Sequence, residues 1–145
     1  MKIKLLENDL NAYDIKPTRE GDAGIDLRCC NKDVEIYPGE TKFLNSGIAV
    51  AIPEGWVGQL YPRSGLGVKK GLTLANTVGI IDANYRGEIL IAAKNTGGAV
   101  IEIDYLDRIA QLVVLPHLNY SHSEIVDELD STERGDKGFG SSGDS

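Results

Sequence analysis

One segment, Gly79 to Gly87, combines a carboxylate that could act as a general base with an aromatic ring that could stack on a ligand. Asp82 directly follows two β-branched residues, and Tyr85 stands shortly after it. Apolar runs before it (Leu72 to Ile81) and after it (Ile89 to Ala93) predict that the segment is the bend of a β-hairpin. Strand ends hold side chains more precisely than free loops do. An isolated segment of this kind is more often a solvated turn, so the interpretation depends on the rest of the chain.

A second segment, Pro62 to Gly71, contains the donors that a polyphosphate requires. It carries Arg63, Ser64, three glycines and the pair Lys69 and Lys70. A guanidinium fork binds phosphate oxygens in pairs, and glycine lets the backbone approach a ligand closely. The segment is not a P-loop, because Gly-x-x-x-x-Gly-Lys-Ser/Thr is absent from it. Taken alone, it is equally compatible with a glycine-rich surface loop.

Three further polar residues lie on predicted strands. Asp26 and Arg28 share one face of a strand. An acid and a base in this arrangement usually form only a solvated ion pair. Gln111 is the one uncharged polar residue of the predicted buried strand from Arg108 to Leu115. A buried Gln must be hydrogen-bonded, most often to backbone, and a ligand is the less common partner.

The fold class that the composition predicts is all-β. The chain has 145 residues and 17 glycines, and its turn signals recur roughly every eight to twelve residues, as in a sandwich, barrel or jelly roll. We therefore expect a jelly roll or distorted β-barrel of many short strands over residues 1–130. The best helical candidate is the short stretch Glu124 to Leu129.

The last fifteen residues, Ser131 to Ser145, differ in composition from the rest, with four glycines, four serines and one aromatic, Phe139. Such a segment buries too little apolar surface to offset the entropy of ordering. We expect a flexible Gly/Ser-rich C-terminal arm over residues 131–145.

The charge and the cysteines limit the partners and the compartment. A formal net charge of −7 argues against nucleic acid and anionic membranes as partners, although a small anion needs only a local basic pocket. No segment has the length of a signal peptide or of a membrane span. Cys29 and Cys30 are adjacent, so we expect free thiols, at least one of them in the core, and a cytoplasmic protein.

Taken together, five segments make the chain resemble the trimeric deoxyuridine triphosphatases (dUTP diphosphatases). The motifs of that family match, in the family's order, Ala23–Leu27, Pro62–Gly67, Gly79–Gly87, Arg108–Leu112 and Arg134–Gly143. Each motif is weak or moderate alone, but five in sequence are specific. The resemblance implies a jelly-roll homotrimer whose active sites lie at subunit interfaces, each closed by the arm of a neighbouring subunit.

The reaction that the resemblance implies is hydrolysis of dUTP to dUMP and pyrophosphate with Mg²⁺ bound across the triphosphate. This reaction limits uracil incorporation into DNA and supplies dUMP for dTMP synthesis. Asp82 would be the general base that activates water for attack on the α-phosphorus. Asp26 would contact the hydrated Mg²⁺ through water.

The resemblance also implies a set of substrate-binding residues. The phosphates would be held by Arg63, Ser64, Gly65 and Gln111. Uracil would be read by the backbone of the bend and by its flanks, which include Asn76, Gly79, Ile80, Ile81 and Leu90. Tyr85 would pack against the deoxyribose and leave no room for a 2′-hydroxyl. The arm would close with Arg134, Gly138, Phe139, Gly140, Ser141 and Ser142, with Phe139 stacked over the base.

Two alternatives remain at the level of the sequence. A deoxycytidine triphosphate deaminase, or a bifunctional deaminase and diphosphatase, resembles this family in shape but needs a glutamate acid-base where the bend carries Asp82 and Tyr85. A non-catalytic jelly-roll interaction module could use the same surface, although degenerate copies of an enzyme usually lose the base or the arm. The substrate that releases pyrophosphate distinguishes these alternatives.

Overall fold

The computed structural model describes residues 1–11, 15, 19–133 and 135. The described residues form ten strands, one α-helix and one short 3₁₀ helix. They are β1 (Lys2–Leu5), β2 (Gly24–Arg28), β3 (Val34–Ile36), β4 (Thr41–Ala51), β5 (Trp56–Pro62), α1 (Ser64–Lys70), β6 (Leu72–Leu74), β7 (Gly79–Ile81), β8 (Glu88–Asn95), β9 (Ile101–Ile103), β10 (Arg108–Pro116) and the 3₁₀ helix Tyr120–His122.

The strands form two four-stranded sheets and one two-stranded pair, and all pairings are antiparallel. The first sheet has the order β1-β4-β8-β6, and the second has the order β2-β10-β5-β7. Strands β3 and β9 form the pair. Most neighbours in the sheets are distant in sequence, as expected of a jelly roll. The predicted all-β jelly-roll class is therefore confirmed.

One apolar core holds the sheets together. Its fully buried members include Leu27, Ile48, Leu60, Ile89 and Leu112, which come from five different strands. Burial alternates along the strands, so one face of each packs inward while the other carries the polar residues. Cys29 belongs to this core and both cysteines are free, as predicted.

Strand β4 joins two strand candidates of the sequence, Thr41 to Leu44 and Gly47 to Ile52, into one strand. Its register against β8 shifts between Asn45 and Ala49, so the chain continues through an irregularity rather than a turn. Gly47 has a φ of +68° there, and an added Cβ would lie 2.6 Å from the sulfur of Cys30. Glycine is required at this position for both reasons.

The predicted hairpin around Asp82 is wrong in its pairing. Strand β7 before the bend pairs with β5, whereas β8 after it pairs with β4 and β6. The segment from Asp82 to Gly87 therefore carries the chain from one sheet to the other. The apolar runs indicated two strands correctly, but hydrophobic pattern alone does not reveal which strands share a sheet.

Helix α1 lies in the glycine-rich segment, which the sequence suggests as a loop. Gly71 ends it in the left-handed conformation, with a φ of +76°, and its N–H bonds to the carbonyls of Leu66 and Gly67. The N–H of Thr96 then donates to Gly71 O at 2.9 Å. These tertiary contacts compensate for the low helix propensity of the two glycines inside the helix.

The best helical candidate of the sequence, Glu124 to Leu129, forms no helix. Ile125 is fully exposed and Leu129 is 86% exposed, so no apolar face packs on the core to stabilise so short a helix. Neither helix of the described ranges is long and apolar enough to cross a bilayer. The division into a barrel and an arm at residue 131 stays a prediction.

Candidate active site

A cleft of about 810 Å³ brings together the residues predicted to hold phosphates. Arg63, Ser64 and Gly65 enter it from the end of β5 and the first turn of α1, and Gln111 and Asp26 enter from β10 and β2. The lining also includes residues that were not among the predicted site residues, namely Arg19, Asp22, Ala23, Gly24, Leu66, Lys69, Lys70, Arg108 and Val113.

The charge of this cleft is opposite to that of the chain. Five cationic side chains and two carboxylates line it, although the formal net charge of the protein is −7. A concave wall of guanidinium and ammonium groups attracts a polyanion and neutralises charge that develops on it. The cleft is therefore a cationic region on an acidic protein.

The carboxylate of Asp26 binds two of these arginines. Its Oδ1 lies 2.9 Å from Arg63 Nε, and its Oδ2 accepts a hydrogen bond from Arg108 Nη1 at 3.1 Å. The Asp26 side chain is 16% exposed, and the two arginines are 31% and 40% exposed. Arg63 Nη1 also donates to the carbonyl of Arg108 at 3.2 Å. These bonds hold both guanidinium groups at the mouth of the cleft.

Arg108 was missed as a site residue by sequence reasoning, although it opens a matched motif. Its side chain reaches Asp26 because β10 and β2 are neighbouring strands, with Gln111 opposite Asp26 in the register. Arg108 itself lies opposite Arg28, so its contact with Asp26 is a diagonal charge pair that becomes visible only when the register of β2 against β10 is known. Gln111 makes the backbone contact expected of it, with Nε2 donating to Pro62 O at 3.1 Å.

A second, smaller cavity of about 240 Å³ collects the residues of the bend. All seven residues predicted there for base, sugar and catalysis line it: Asn76, Gly79, Ile80, Ile81, Asp82, Tyr85 and Leu90. Leu60 and Ile89 complete the lining. Strand β7 is the last strand of its sheet, and no strand of the described residues pairs with its outer edge. Such an edge can offer N–H and C=O groups to a ligand.

The turn after β7 fixes the two residues best suited to chemistry. The N–H of Tyr85 donates to Asp82 O at 3.0 Å, which closes the turn. The Tyr85 hydroxyl donates to Glu88 O at 2.7 Å and anchors the far end of the ring. Arg86 Nη1 binds the carbonyls of Ala83 and Tyr85 at 2.6 and 2.7 Å. The backbone of Asp82 and the ring of Tyr85 are thus held by a hydrogen-bonded turn rather than by a free loop.

The two cavities are separate within one chain. No residue of the described ranges lines both the phosphate cleft and the cavity of the bend. The predicted arm residues Arg134, Gly138, Phe139, Gly140, Ser141 and Ser142 lie outside the described residues. Each cavity therefore holds one half of the predicted site.

The donor set constrains the metal chemistry of the site. Among the residues that the structure describes, no cluster of three or more His, Cys, Asp or Glu side chains could hold a metal ion by itself. The cleft does contain carboxylates from Asp22 and Asp26. Mg²⁺ commonly binds through one or two carboxylates together with substrate phosphates, and this donor set fits that mode.

Comparison with known protein families identifies one match. The family profile described as dUTPase matches residues 11–143. A deoxyuridine 5'-triphosphate nucleotidohydrolase of Aromatoleum aromaticum is 42% identical over 143 residues, which cover 97% of this chain and 95% of that protein. The enzyme of the same name from Escherichia phage T5 is 44% identical over 149 residues, covering 99% and 98%.

Solved structures give the same result. The dUTPase of Staphylococcus bacteriophage 80alpha with dUPNHPP has a TM-score of 0.87 to this chain at 31% identity, covering 98% of this chain and 97% of that one. Another structure of that phage enzyme has a TM-score of 0.79 at 28% identity, covering 90% and 97%. The similarity extends over nearly the whole fold.

Proposed function

The chain belongs to the dUTPase family, and from that premise we propose that it hydrolyses dUTP to dUMP and pyrophosphate. The main support for the proposal is that the predicted site residues line two cavities, each with side chains suited to one part of the substrate. The larger is cationic and suits a triphosphate, and the smaller combines a carboxylate, an aromatic ring and a free strand edge.

The triphosphate binds in the cationic cleft. Arg63 contributes a guanidinium fork, Ser64 a hydroxyl, and Gly65 a backbone that a phosphate can approach, because an added Cβ there would meet nothing within 4 Å. Gln111 binds the far end of the chain of phosphates. These neutral and cationic donors offset the charge of the substrate before water attacks.

Asp82 acts as the general base. It accepts a proton from the water that attacks the α-phosphorus, so the P–O bond to the β-phosphate breaks and pyrophosphate leaves. The hydrogen-bonded turn fixes the backbone of Asp82 close to the ring of Tyr85, which is the ring proposed to pack against the sugar. A carboxylate close to a polyanion keeps its charge only where cations neutralise the phosphates, which is the role of the cleft.

The base and the sugar bind in the smaller cavity. The outer edge of β7 (Gly79–Ile81), which pairs with no strand in the described part of the chain, offers backbone donors and acceptors that match uracil O4 and N3–H. Cytosine presents the opposite polarity there. Asn76 and Leu90 flank the base. Tyr85 packs against the deoxyribose and excludes a 2′-hydroxyl by its bulk.

Mg²⁺ is the metal proposed for the reaction. Asp26 would contact the waters of a metal held mainly by the substrate phosphates, which is consistent with a donor set too small to form a cage of protein ligands. When bound, Mg²⁺ neutralises charge on the triphosphate. The arginines that Asp26 binds lie in the same cleft, so the metal and the guanidinium groups would together neutralise the negative charge of the triphosphate.

A homotrimer would unite the two half-sites at each subunit interface. Part of the outer face of the second sheet is suited to such contact because its side chains carry no charge. They stand on the three adjacent strands β10, β5 and β7 and are Val57, Gln59, Tyr61, Ile80, Val113 and Leu115. Exposed apolar residues also follow β10, among them Leu118 at 71% and Ile125 at 100%. Monomers rarely leave so many large apolar side chains exposed on neighbouring elements.

The arm would then act on the site of a neighbouring subunit. Phe139 would stack over the base, while Arg134, Gly138, Gly140, Ser141 and Ser142 would close on the phosphates. A cytoplasmic location is also proposed, because Cys29 and Cys30 are both free, as expected in a reducing compartment.

The test is pyrophosphate release from the purified protein with dUTP, dCTP or dTTP and Mg²⁺. We expect efficient turnover of dUTP alone, because a strand edge that matches uracil leaves the donors of cytosine unpaired. Comparable turnover of dCTP, or release of ammonia from it, would support the deaminase alternative. Binding of dUTP without turnover would support the non-catalytic module.

A further inference from the structure

Glu88, the first residue of β8, uses both oxygens of its half-buried side chain to bind β4. Its Oε2 accepts a hydrogen bond from Asn45 Nδ2 at 2.7 Å, and its Oε1 accepts one from the N–H of Gly47 at 2.8 Å. Both donors belong to the irregular part of β4, where the register against β8 shifts. Charge-assisted bonds of this kind are about twice as strong as neutral ones, so they fix the backbone of Glu88 firmly.

A second hydrogen-bonded pair holds β4 in turn. The N–H of Asn45 donates to Asn31 Oδ1 at 2.7 Å, and Asn31 Nδ2 donates to Asn45 Oδ1 at 3.2 Å. Asn45 Oδ1 is therefore engaged, and its Nδ2 is the atom directed to Glu88. The network orients the Asn45 amide so that its NH₂ group, a hydrogen-bond donor, faces position 88. A carboxylate, which only accepts hydrogen bonds, matches this donor.

The backbone of Glu88 holds the tyrosine of the smaller cavity. Glu88 O accepts the hydrogen bond from the hydroxyl of Tyr85 at 2.7 Å. The Tyr85 ring lines the cavity together with Asp82, and it is 40% exposed, so few other groups restrain it. The position of the Glu88 carbonyl thus sets how far the ring can tilt over the cavity.

Gly87 provides the space in which the ring lies. An added Cβ at Gly87 would lie 2.6 Å from Tyr85 Oη and 2.9 Å from its Cζ. Such distances are too short, so a side chain at this position would push the end of the ring away. The clash is with a side chain that can rotate, so the fold can survive the change while the ring moves.

We propose that Glu88 is a positioning residue for Tyr85. Its carbonyl binds the tyrosine hydroxyl and keeps the ring in the space above Gly87. The position of the ring in turn determines the discrimination between deoxyribo- and ribonucleotides. The inference rests on the proposed function, in which Tyr85 packs against the sugar. A 2′-hydroxyl is a single oxygen atom, so a small displacement of the ring is enough to admit it. Asp82 is not part of the network that binds β4.

The experiment compares kcat/KM for dUTP and for UTP in the full chain with Gly87→Ala or Glu88→Gln. In Glu88→Gln one amide hydrogen faces a donor of β4, so one of the two anchoring bonds is lost. We expect the dUTP-to-UTP ratio of kcat/KM to fall about tenfold in both variants, while kcat for dUTP changes much less. Glu102→Gln, at an exposed position of β9, is the matched control and should leave the ratio unchanged.

A double-mutant cycle tests whether Glu88 acts through the tyrosine. Tyr85→Phe removes the hydroxyl that binds Glu88 O, so Glu88→Gln should have little further effect on the ratio in that background. Additive effects would overturn the proposal. An equal loss of activity on both substrates, accompanied by a lower Tm, would show that Glu88 is merely structural and would also overturn it.

The experiment distinguishes failure of the proposed dUTP hydrolysis from failure of the positioning role of Glu88. If the unaltered chain does not hydrolyse dUTP, the proposed function is wrong. If it hydrolyses dUTP and selects against UTP, but Gly87→Ala and Glu88→Gln keep the same ratio, the proposed function stands and the positioning role is wrong. Gly87→Ala keeps every polar group of the network, so the test remains decisive even where Glu88→Gln folds poorly.

Discussion

Arg63 Nε lies 2.9 Å from Asp26 Oδ1, and this ion pair joins β2 to the residue that precedes helix α1. The same carboxylate binds Arg108 on β10, so one acid holds two of the guanidinium groups of the phosphate cleft. The acid reduces the positive charge of the cleft while it fixes the geometry of the donors. These two effects have opposite consequences for anion binding, which makes them separable.

Asp26→Asn separates them. The variant removes the counter-charge but keeps a side chain of the same shape, so the cleft becomes more positive. We expect pyrophosphate without Mg²⁺ to bind about fivefold more tightly, as measured by titration calorimetry, because two arginines lose a neutralising partner. The response of dUTP turnover to Mg²⁺ should weaken at the same time. Weaker pyrophosphate binding would mean that geometry dominates over charge, and Asp130→Asn, in the exposed C-terminal segment, is the control.

Asp82→Asn should remove the chemical step and leave binding. We expect kcat for dUTP to fall by about a thousandfold, the middle of the range for loss of a general base. Affinity for a non-hydrolysable dUTP analogue should change only a few-fold, because the amide occupies the same space in the hydrogen-bonded turn. Asn84→Ala, in the same turn, serves as the control for local structure. Turnover close to that of the unaltered chain would rule out Asp82 as the base.

The sequence predicted the strands better than the connections between them. Period-two burial in β3 and β9 follows directly from the residue pattern. The pairing of β7 with β5 does not, because a strand that ends in a tight turn can continue into a hairpin or cross to another sheet. The difference depends on which long-range backbone bonds form, and local pattern does not encode that choice.

Helix α1 was missed for a related reason. Its two internal glycines lower the intrinsic helix propensity, and the contacts that compensate come from Thr96 and Gly97, far along the chain. Arg108 was missed as a site residue because its partner Asp26 is on a neighbouring strand. In both cases the decisive partner is distant in sequence. Asp82 and Gln111, which were predicted from their own motifs, each line one of the two cavities, and their roles stay predictions.

Gly71→Ala should destabilise the protein strongly compared with Gly98→Ala. Gly71 has a φ of +76°, and an added Cβ would lie 2.6 Å from Gly97 N, so both the conformation and the space exclude a side chain. We expect the free energy of unfolding to fall by about 2–4 kcal/mol from strain and overpacking together, measured in urea. Gly98 has open space around its Cβ direction and should change by less than about 0.5 kcal/mol. Equal effects would contradict the close contact between α1 and the loop after β8.

Cys30 gives a prediction about alkaline pH. Burial, followed by the neighbouring carboxylate of Glu7, raises the pKa of its thiol from 9.0 to about 11. The folded state therefore keeps the proton longer than the unfolded state, so this stabilisation is complete below pH 9 and is lost as the pH rises through 11. The Tm difference between the unaltered chain and Cys30→Ala should stay constant up to pH 9 and shift against the unaltered chain between pH 9 and 11. A constant difference over this range would show that the thiol titrates alike in both states.

Leu115→Asp tests the proposed trimer. Leu115 stands opposite Val57 on the uncharged face of the second sheet and is 39% exposed, so the single chain should tolerate the change. In a trimer packed on this face, three buried carboxylates would face apolar surface, and we expect sedimentation velocity to show mainly monomers. Val100→Asp, at 42% exposure on the β8–β9 connection, is matched for exposure and should remain trimeric.

Activity decides whether the trimer is needed for catalysis. Because the phosphate cleft and the cavity of the bend share no lining residue in the described part of the chain, a monomer offers each half-site without the other. Leu115→Asp should therefore lose dUTP turnover in proportion to its loss of trimer, and raising the protein concentration should restore both together. A trimeric and active Leu115→Asp variant would exclude this face as the interface. A monomeric but active one would mean that a single chain holds a complete site.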